Sequence, residues 1–331
     1  MTRAVVLGAG SWGTAYAKVL ADAGTWTTLV PRRPELARII RDTRENPEYL
    51  PGVGLPRRLT AEADPAIALP GADLVVLALP SQTLRVNLAA VRGYLPGGAT
   101  LVSLMKGVEL GTSKRMSEVI AEVADAEADR VAVVSGPNLA GEIAAEHPAA
   151  TVVACPDPLR GRQLQLASTT IYFRPYTNTD VVGCEVGGAV KNVIALACGM
   201  AEGMGFGDNT VASLITRGLA ETARLGAALG ADAVTFTGLA GLGDLVATCT
   251  SPLSRNRTFG ERLGQGQPVD EVIAGTRQIA EGVNSCRSIH ELALKHAVDM
   301  PITEHVVKVV YDGLTPVQMV RALMAREVGS E

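Results

Sequence analysis

The chain has 331 residues, 47% of them hydrophobic and 19% charged; that composition excludes a disordered polymer and supplies apolar material for roughly two domains. The formal net charge is −4, which excludes the broad basic field of a nucleic-acid-binding surface. Five cysteines (Cys155, Cys184, Cys198, Cys249, Cys286) are scattered without a CxxC pair, and four histidines show no ligand spacing; this pattern points to reduced thiols in a cytoplasmic protein and to no metal site.

The opening MTRAVVLGAG runs straight into a strand-like stretch, so no secretory leader is expected. A strand is predicted over Ala4–Leu7, a helix over Gly13–Ala23, a strand over Thr27–Val30 and a helix over Glu35–Arg44. An apolar strand follows in DLVVLALP (Asp73–Pro80), then a helix over Thr83–Tyr94, a strand in TLVSLMKG (Thr100–Gly107) and a helix over about 113–123. VAVVSGPN (Val131–Asn138) reads as a strand, with a short helix to Glu146. ATVVAC and IYFRPY read as two last strands around a helix near Arg160–Ala167. Strands apolar on both faces, alternating with helices, predict a doubly wound, mostly parallel sheet covered on both sides. Beyond Asn178 the strand signal stops and Gly- and Pro-punctuated helices take over. The expected domains are therefore 1–180, α/β, and 181–331, all-helical, with Thr179 or Asp180 capping the first helix of the second. The apolar runs look short and amphipathic, so no membrane insertion is expected.

In VVLGAGSWGTAYA, Gly8, Gly10 and Gly13 form a G-x-G-x-x-G between the first strand and the first helix. That context is the one in which the motif binds a dinucleotide: a tight turn, close backbone approach to the pyrophosphate, and a helix N-terminus facing the phosphates. A Rossmann domain is the expected fold. At the end of the second strand, where an acidic residue would hold an NAD ribose, stand Arg32 and Arg33. Arginine suits a 2′-phosphate, so NADPH is slightly favoured over NADH; the alternative is a pair of surface arginines opening a helix.

Three strand ends carry polar or glycine-rich residues: Pro80-Ser81, Lys106 in SLMKG, and Gly136 with Asn138 in SGPN. Ligands bind outside the carboxyl ends of such strands, so a phosphate or carbonyl contact is expected of Lys106, against the alternative of a solvated charge. In GCEVGGAVKNVIALA, Lys191 sits on a helix of buried periodicity with Gly187 and Gly188 one turn back and Asn192 beside it. Two readings stand: the glycines clear room for a small molecule at the ammonium, or they admit a neighbouring element while the lysine snorkels. Asp244 and Thr248, four residues apart, and the SRNR turn with Ser254, Arg255 and Asn256 add polar groups to another apolar stretch. An arginine fork suits phosphate oxygens.

GAGSWGTA, SGPNLAGE, CEVGGAVKNVIALACG, GMGFGDN, LITRGLAE, GLGDLVATCTSPLSRNRTFG and MPITE occur in order along nearly the whole chain. Together they resemble the bacterial NAD(P)-dependent glycerol-3-phosphate dehydrogenases. The resemblance implies reversible reduction of dihydroxyacetone phosphate to sn-glycerol 3-phosphate with NADH or NADPH, feeding phospholipid synthesis. It implies a Rossmann domain joined to a helical domain with the site between them, and a homodimer. By the same resemblance Lys191 is the proton donor and acceptor, and Lys106, Asn192, Asp244 and Thr248 surround the reacting carbonyl. Gly136 and Asn138 fall on substrate positions, Asn138 where the family often carries Ser or Thr. Ser254, Arg255 and Asn256 meet the phosphate, Arg255 also reaching the cofactor. Ser11, Trp12, Arg32, Arg33, Tyr49, Lys106, Ala140, Ile279 and Glu281 join the glycine loop as cofactor contacts. Other Rossmann-plus-helical dehydrogenases, of the 3-hydroxyisobutyrate, 6-phosphogluconate and ketopantoate types, share the layout. A non-catalytic NADPH-binding sensor would keep the glycine loop and dispense with the polar cluster.

Overall fold

A computed structural model describes residues 1–275 and 280–326. The chain divides into two compact units: 1–106 with 114–185, and 107–113 with 186–331. The short excursion of residues 107–113 into the second unit has no counterpart in the sequence pattern.

The first unit is built on an eight-stranded sheet: β1 (Arg3–Leu7), β2 (Trp26–Val30), β3 (Leu59–Ala61), β4 (Leu74–Leu77), β5 (Thr100–Ser103), β6 (Val131–Ser135), β7 (Ala149–Ala154) and β8 (Phe173–Asn178), in the spatial order β3-β2-β1-β4-β5-β6-β7-β8. Neighbouring strands are parallel except β6 and β7, which are antiparallel. Successive side chains of a strand point to opposite faces, and the sequence feeds both. Ala4, Val6, Leu74, Val76 and Val102 join one apolar core, and Val5, Leu7, Val75, Leu77 and Leu101 join the other. A sheet buried on both sides explains why these strands read as continuous apolar runs. The chain leaves β1 toward β2 on one side and returns through β4 on the other, so the order reverses between β1 and β4. Their carboxyl ends are thus the switch point at which such sheets bind ligands.

Elements that escaped the sequence reading include β3, only three residues long, and the one-turn helix Pro65–Ala68. The expectation that no apolar run reaches membrane-spanning length is also corrected. The helix Val181–Gly203 is long and apolar enough to cross a bilayer, but 89% of its most apolar window is buried inside the protein; it is a core helix whose apolar residues surround it on all sides. Asp180 opens it, accepting a hydrogen bond from the Gly183 N–H at 2.8 Å. Glu185, in its second turn, is buried and accepts from the Ser117 N–H at 2.7 Å, the Ser117 hydroxyl at 2.6 Å and Arg115 at 2.6 Å. Burial pushes the Glu185 carboxyl up from its ordinary value, against the pull of Arg115 and Ser117.

The second unit contains no strand among its described residues. Its helices include Asp208–Ala228, Asp244–Thr250, Arg255–Gly264, Val269–Ala274, Glu281–Lys295, Pro301–Tyr311 and Pro316–Met324. Val181–Gly203 crosses Arg255–Gly264 at a contact made of glycines. A Cβ on Gly199 would collide with the Arg257 carbonyl, on Gly203 with that of Glu261, on Gly260 with that of Leu196, and on Gly264 with that of Met200. Two four-residue glycine spacings, one on each helix, bring the backbones into direct contact.

Candidate active site

At the end of β1 the three glycines do different work. Gly8 takes φ +109°, a conformation that favours glycine, and any Cβ there would strike the Ala78 carbonyl just beyond β4. A Cβ on Gly13 would strike the carbonyl of Gly8, so this glycine lets the helix Ser11–Asp22 sit directly on the turn. Gly10 faces open space within 4 Å of where its Cβ would stand and caps the helix with no side-chain acceptor. The first helical N–H groups have no side-chain acceptor from the cap, as an anion site requires. The cradle fits the pyrophosphate of a dinucleotide.

The expected cofactor contacts are divided between the two units, most of them on the unit that carries this turn. Ser11 begins the helix, and Trp12 packs at a tilt against Tyr16 and Phe173, with ring centroids 5.5 and 6.5 Å away. Trp12 and Ala140, both partly buried, also pack against an apolar cluster of Ala15, Leu50 and Ala144 beside the cradle. Arg32 and Arg33 are exposed past β2, and Tyr49 packs partly buried against the core. Glu281 opens the helix Glu281–Lys295 in the second unit. Ile279 lies outside the described residues.

Past β5, the Lys106 ammonium donates to the Gly136 carbonyl at 2.9 Å. Gly136, at φ +145°, passes close to Thr151 of β7. The Asn138 side-chain N–H donates to the Thr151 hydroxyl at 3.1 Å, and that hydroxyl donates to the Ser135 carbonyl at 3.0 Å. The Asn138 Oδ1 is buried and accepts no hydrogen bond among the described residues. Lys106, Gly136 and Asn138 therefore converge at the carboxyl ends of β5 and β6.

In the second unit, Lys191, Asn192, Asp244, Thr248, Ser254 and Asn256 are all buried. A π-helical turn, Leu239–Gly243, delivers the chain to Asp244 and the helix Asp244–Thr250. Four-residue spacing puts Asp244 and Thr248 on one face. The Lys191 ammonium lies 2.8 Å from Asp244 Oδ1 and donates to the Thr248 hydroxyl at 2.6 Å; that hydroxyl lies 3.3 Å from the same Oδ1. Lys191 is paired rather than snorkelled. Gly187 is a packing glycine, because a Cβ there would press on the Ala240 carbonyl at 2.5 Å; it does not clear room for a ligand, as the sequence allowed. Behind the cluster Cys249 is fully buried, and its hydrogen bond with Cys198, together with burial, pushes its thiol well up.

Asn192 Oδ1 accepts from Asn256 at 2.9 Å, and Asn256 Oδ1 accepts from the Gly282 N–H at 2.9 Å. This chain of amides ties the lysine helix to the start of Glu281–Lys295. Ser254 is an N-cap, its hydroxyl accepting from the Arg257 N–H at 3.3 Å. Arg257 reaches Glu202 at 2.6 Å and Glu261 at 3.2 Å, so of the two arginines in SRNR one is structural. Arg255 is exposed at the helix start.

Sequence reasoning missed Asn46 and Glu48. Asn46 is fully buried and its amide N–H donates to the Ala9 carbonyl at 2.9 Å and the Thr14 hydroxyl at 2.8 Å, inside the glycine turn. The Asn-Pro pair at 46–47 was the available signal, legible only as a turn. Glu48 forms an ion pair with Arg33.

Comparison with known proteins agrees along the chain. The family described as NAD-dependent glycerol-3-phosphate dehydrogenase N-terminus matches residues 3–160, and its C-terminus counterpart matches 180–321. The chain is 63% identical over 329 residues to a glycerol-3-phosphate dehydrogenase (NAD(P)+) of Streptomyces griseus, covering 99% of this chain and 98% of that one. It is 60% identical to the protein of the same name from Corynebacterium glutamicum, with 100% of each chain covered. A crystal structure of glycerol-3-phosphate dehydrogenase from Coxiella burnetii superposes with a TM-score of 0.92 at 36% identity, covering 98% of this chain and 99% of that one.

Proposed function

The chain belongs to the NAD-dependent glycerol-3-phosphate dehydrogenase family, and from that premise we propose how its residues carry the reaction. The protein is an oxidoreductase that interconverts dihydroxyacetone phosphate and sn-glycerol 3-phosphate with NADH or NADPH, the product being the backbone of glycerophospholipids. Bound nicotinamide supplies or accepts the hydride. The glycine cradle of Gly8, Gly10 and Gly13, with Ser11, Arg32, Arg33 and Tyr49, would hold the dinucleotide.

The observation that carries the reading is the buried Lys191 ammonium, held by Asp244 and Thr248 on an otherwise apolar helix. As a ketone is reduced, negative charge grows on its oxygen. Lys191 would stabilise that charge and deliver the proton. Asp244 would fix the ammonium without taking its proton, and Thr248 would orient it. Lys106 would hold the carbonyl or a neighbouring hydroxyl, and Asn138 Oδ1 would accept from a substrate hydroxyl. Asn192 would steady the carbonyl side. Arg255 and Asn256, at the N-terminus of Arg255–Gly264, would bind the phosphate, with charge, side-chain N–H groups and helix dipole all of the right sign. Phosphate binding remote from the reacting carbon positions the ketone.

The deciding assay follows loss of reduced-nicotinamide absorbance on adding dihydroxyacetone phosphate. Oxidation of NADPH, somewhat faster than that of NADH, is expected. Equal rates with unphosphorylated dihydroxyacetone would refute the phosphate assignment. Five buried, unpaired thiols support a cytoplasmic location. Exposed Leu294, Val317 and Met324 support a homodimer, which sedimentation would test.

A further inference from the structure

We propose that Glu48 sets the balance between NADH and NADPH by competing with the cofactor's 2′-phosphate for Arg33. This rests on the reading that Arg33 faces the adenosine ribose.

A sheet of this type selects NAD with an acidic side chain at the end of its second strand, where the carboxylate accepts from the ribose 2′-hydroxyl; an arginine there suits a 2′-phosphate instead. Here the position carries arginine, and a carboxylate arrives from elsewhere. Arg33 caps the helix Pro34–Thr43, just past β2, and Glu48 lies in the loop beyond that helix with its side chain ion-paired to the Arg33 guanidinium. The site thus holds both signs: a cation that attracts a phosphate dianion, and an anion that repels one and can accept from a hydroxyl.

The pair is exposed on both sides, at 48% and 41% for the two side chains, and an exposed ion pair taken alone contributes little. The loop that carries Glu48 distinguishes this one. Asn46, two residues before, is buried and bound to the Ala9 carbonyl and the Thr14 hydroxyl of the glycine turn. Leu50, two residues after, donates its N–H to the Asn46 carbonyl at 2.9 Å and packs with Ala15 and Ala144. Upstream, Arg44 at φ 59° binds the carbonyls of Leu55, Pro56 and Leu59. Glu48 is therefore presented from a short arch fastened at both feet to the cofactor cradle. When a 2′-phosphate engages Arg33, the carboxylate loses its partner while remaining beside a dianion. When a 2′-hydroxyl approaches, the pair stays intact and the carboxylate gains a donor. Glu48 thus works against the NADPH preference that Arg32 and Arg33 impose, and the chain accepts both cofactors.

The test is Glu48→Gln, with kcat/KM for NADPH and NADH measured on dihydroxyacetone phosphate at low and high ionic strength, and cofactor dissociation constants from reduced-nicotinamide fluorescence. The NADPH/NADH ratio should rise about three- to fivefold at low salt, the upper end of what one exposed ion pair is worth, and less at high salt. A ratio within twofold of wild type at low salt overturns the proposal. Arg33→Ala and the double variant separate this from the reading beneath it. If Arg33→Ala leaves the ratio at its wild-type value, Arg33 does not face the ribose and both fall. If Arg33→Ala collapses NADPH selectivity while Glu48→Gln moves nothing, only the role of Glu48 falls. If Glu48→Gln raises the ratio equally with or without Arg33, competition for Arg33 is refuted.

Discussion

Replacing Lys191 with methionine removes one charge from a buried pair and separates the lysine's chemical role from its structural one. At the observed 2.8 Å, and with an effective dielectric constant of about 20, the attraction between the two charges is about 6 kcal/mol. Withdrawing each ion from water costs several kcal/mol, so the intact pair contributes little net stability. Lys191→Met alone leaves the Asp244 carboxylate, 2% exposed, without its cation, a loss of about 3–5 kcal/mol. Asp244→Asn alone strands the ammonium at a similar cost. The double variant Lys191→Met/Asp244→Asn removes both charges and keeps an amide that can hydrogen-bond Thr248.

Its stability in urea denaturation should return to within about 2 kcal/mol of wild type, because a neutral pair of similar volume often replaces a buried ion pair at little cost. Its activity should not return. Loss of the proton donor and of the charge on the developing alkoxide should lower kcat by about a thousandfold or more, in the single and double variants alike. The two readouts therefore move apart, which a purely structural lysine cannot produce. Activity of Lys191→Met within tenfold of wild type, about 1.4 kcal/mol, would refute the proton-transfer role. A double variant as unstable as either single would refute the pairing argument.

Two other outcomes are expected. Arg255→Ala should raise KM for dihydroxyacetone phosphate about tenfold to a hundredfold, the worth of a charged hydrogen bond; an equal loss on unphosphorylated dihydroxyacetone would contradict its phosphate role. Glu221 is buried and accepts from the Ile302 N–H at 2.6 Å and from the Thr303 N–H and hydroxyl at 3.3 and 3.2 Å, and burial pushes its carboxyl up from 4.5 to about 7 in spite of those bonds. Between those pH values the folded state binds more protons than the unfolded one, so stability falls as pH rises, by about 3 kcal/mol from this group. Urea midpoints of wild type and Glu221→Gln at pH 5 and pH 8 check this: wild type should lose ground to the variant at pH 8, and a pH-independent difference would refute it.

What was legible in the sequence was what backbone geometry decides locally. Gly8 and Gly13 are glycines because any Cβ collides there, and the motif declares this within six residues. The parallel strands were legible because both of their faces are buried. β3 was not, because three residues of LTA cannot establish a period. Function in the helical unit depends on contacts across long stretches of chain, and there local pattern misled. Gly187, Gly199 and Gly203 stand on one helix, yet what each admits is a carbonyl from another element, invisible until the fold assembles. Ser254 read as a phosphate-site residue, yet its hydroxyl also caps a helix, and only the position of Glu202 shows where Arg257, the SRNR arginine given no role in the sequence, goes. Arg33 and Glu48 make the same point in the other direction. Fifteen residues apart and on no common element, they have no spacing rule to join them. They meet because buried Asn46 fastens the intervening loop to the glycine turn, so the residue that brings the charges together carries no charge itself.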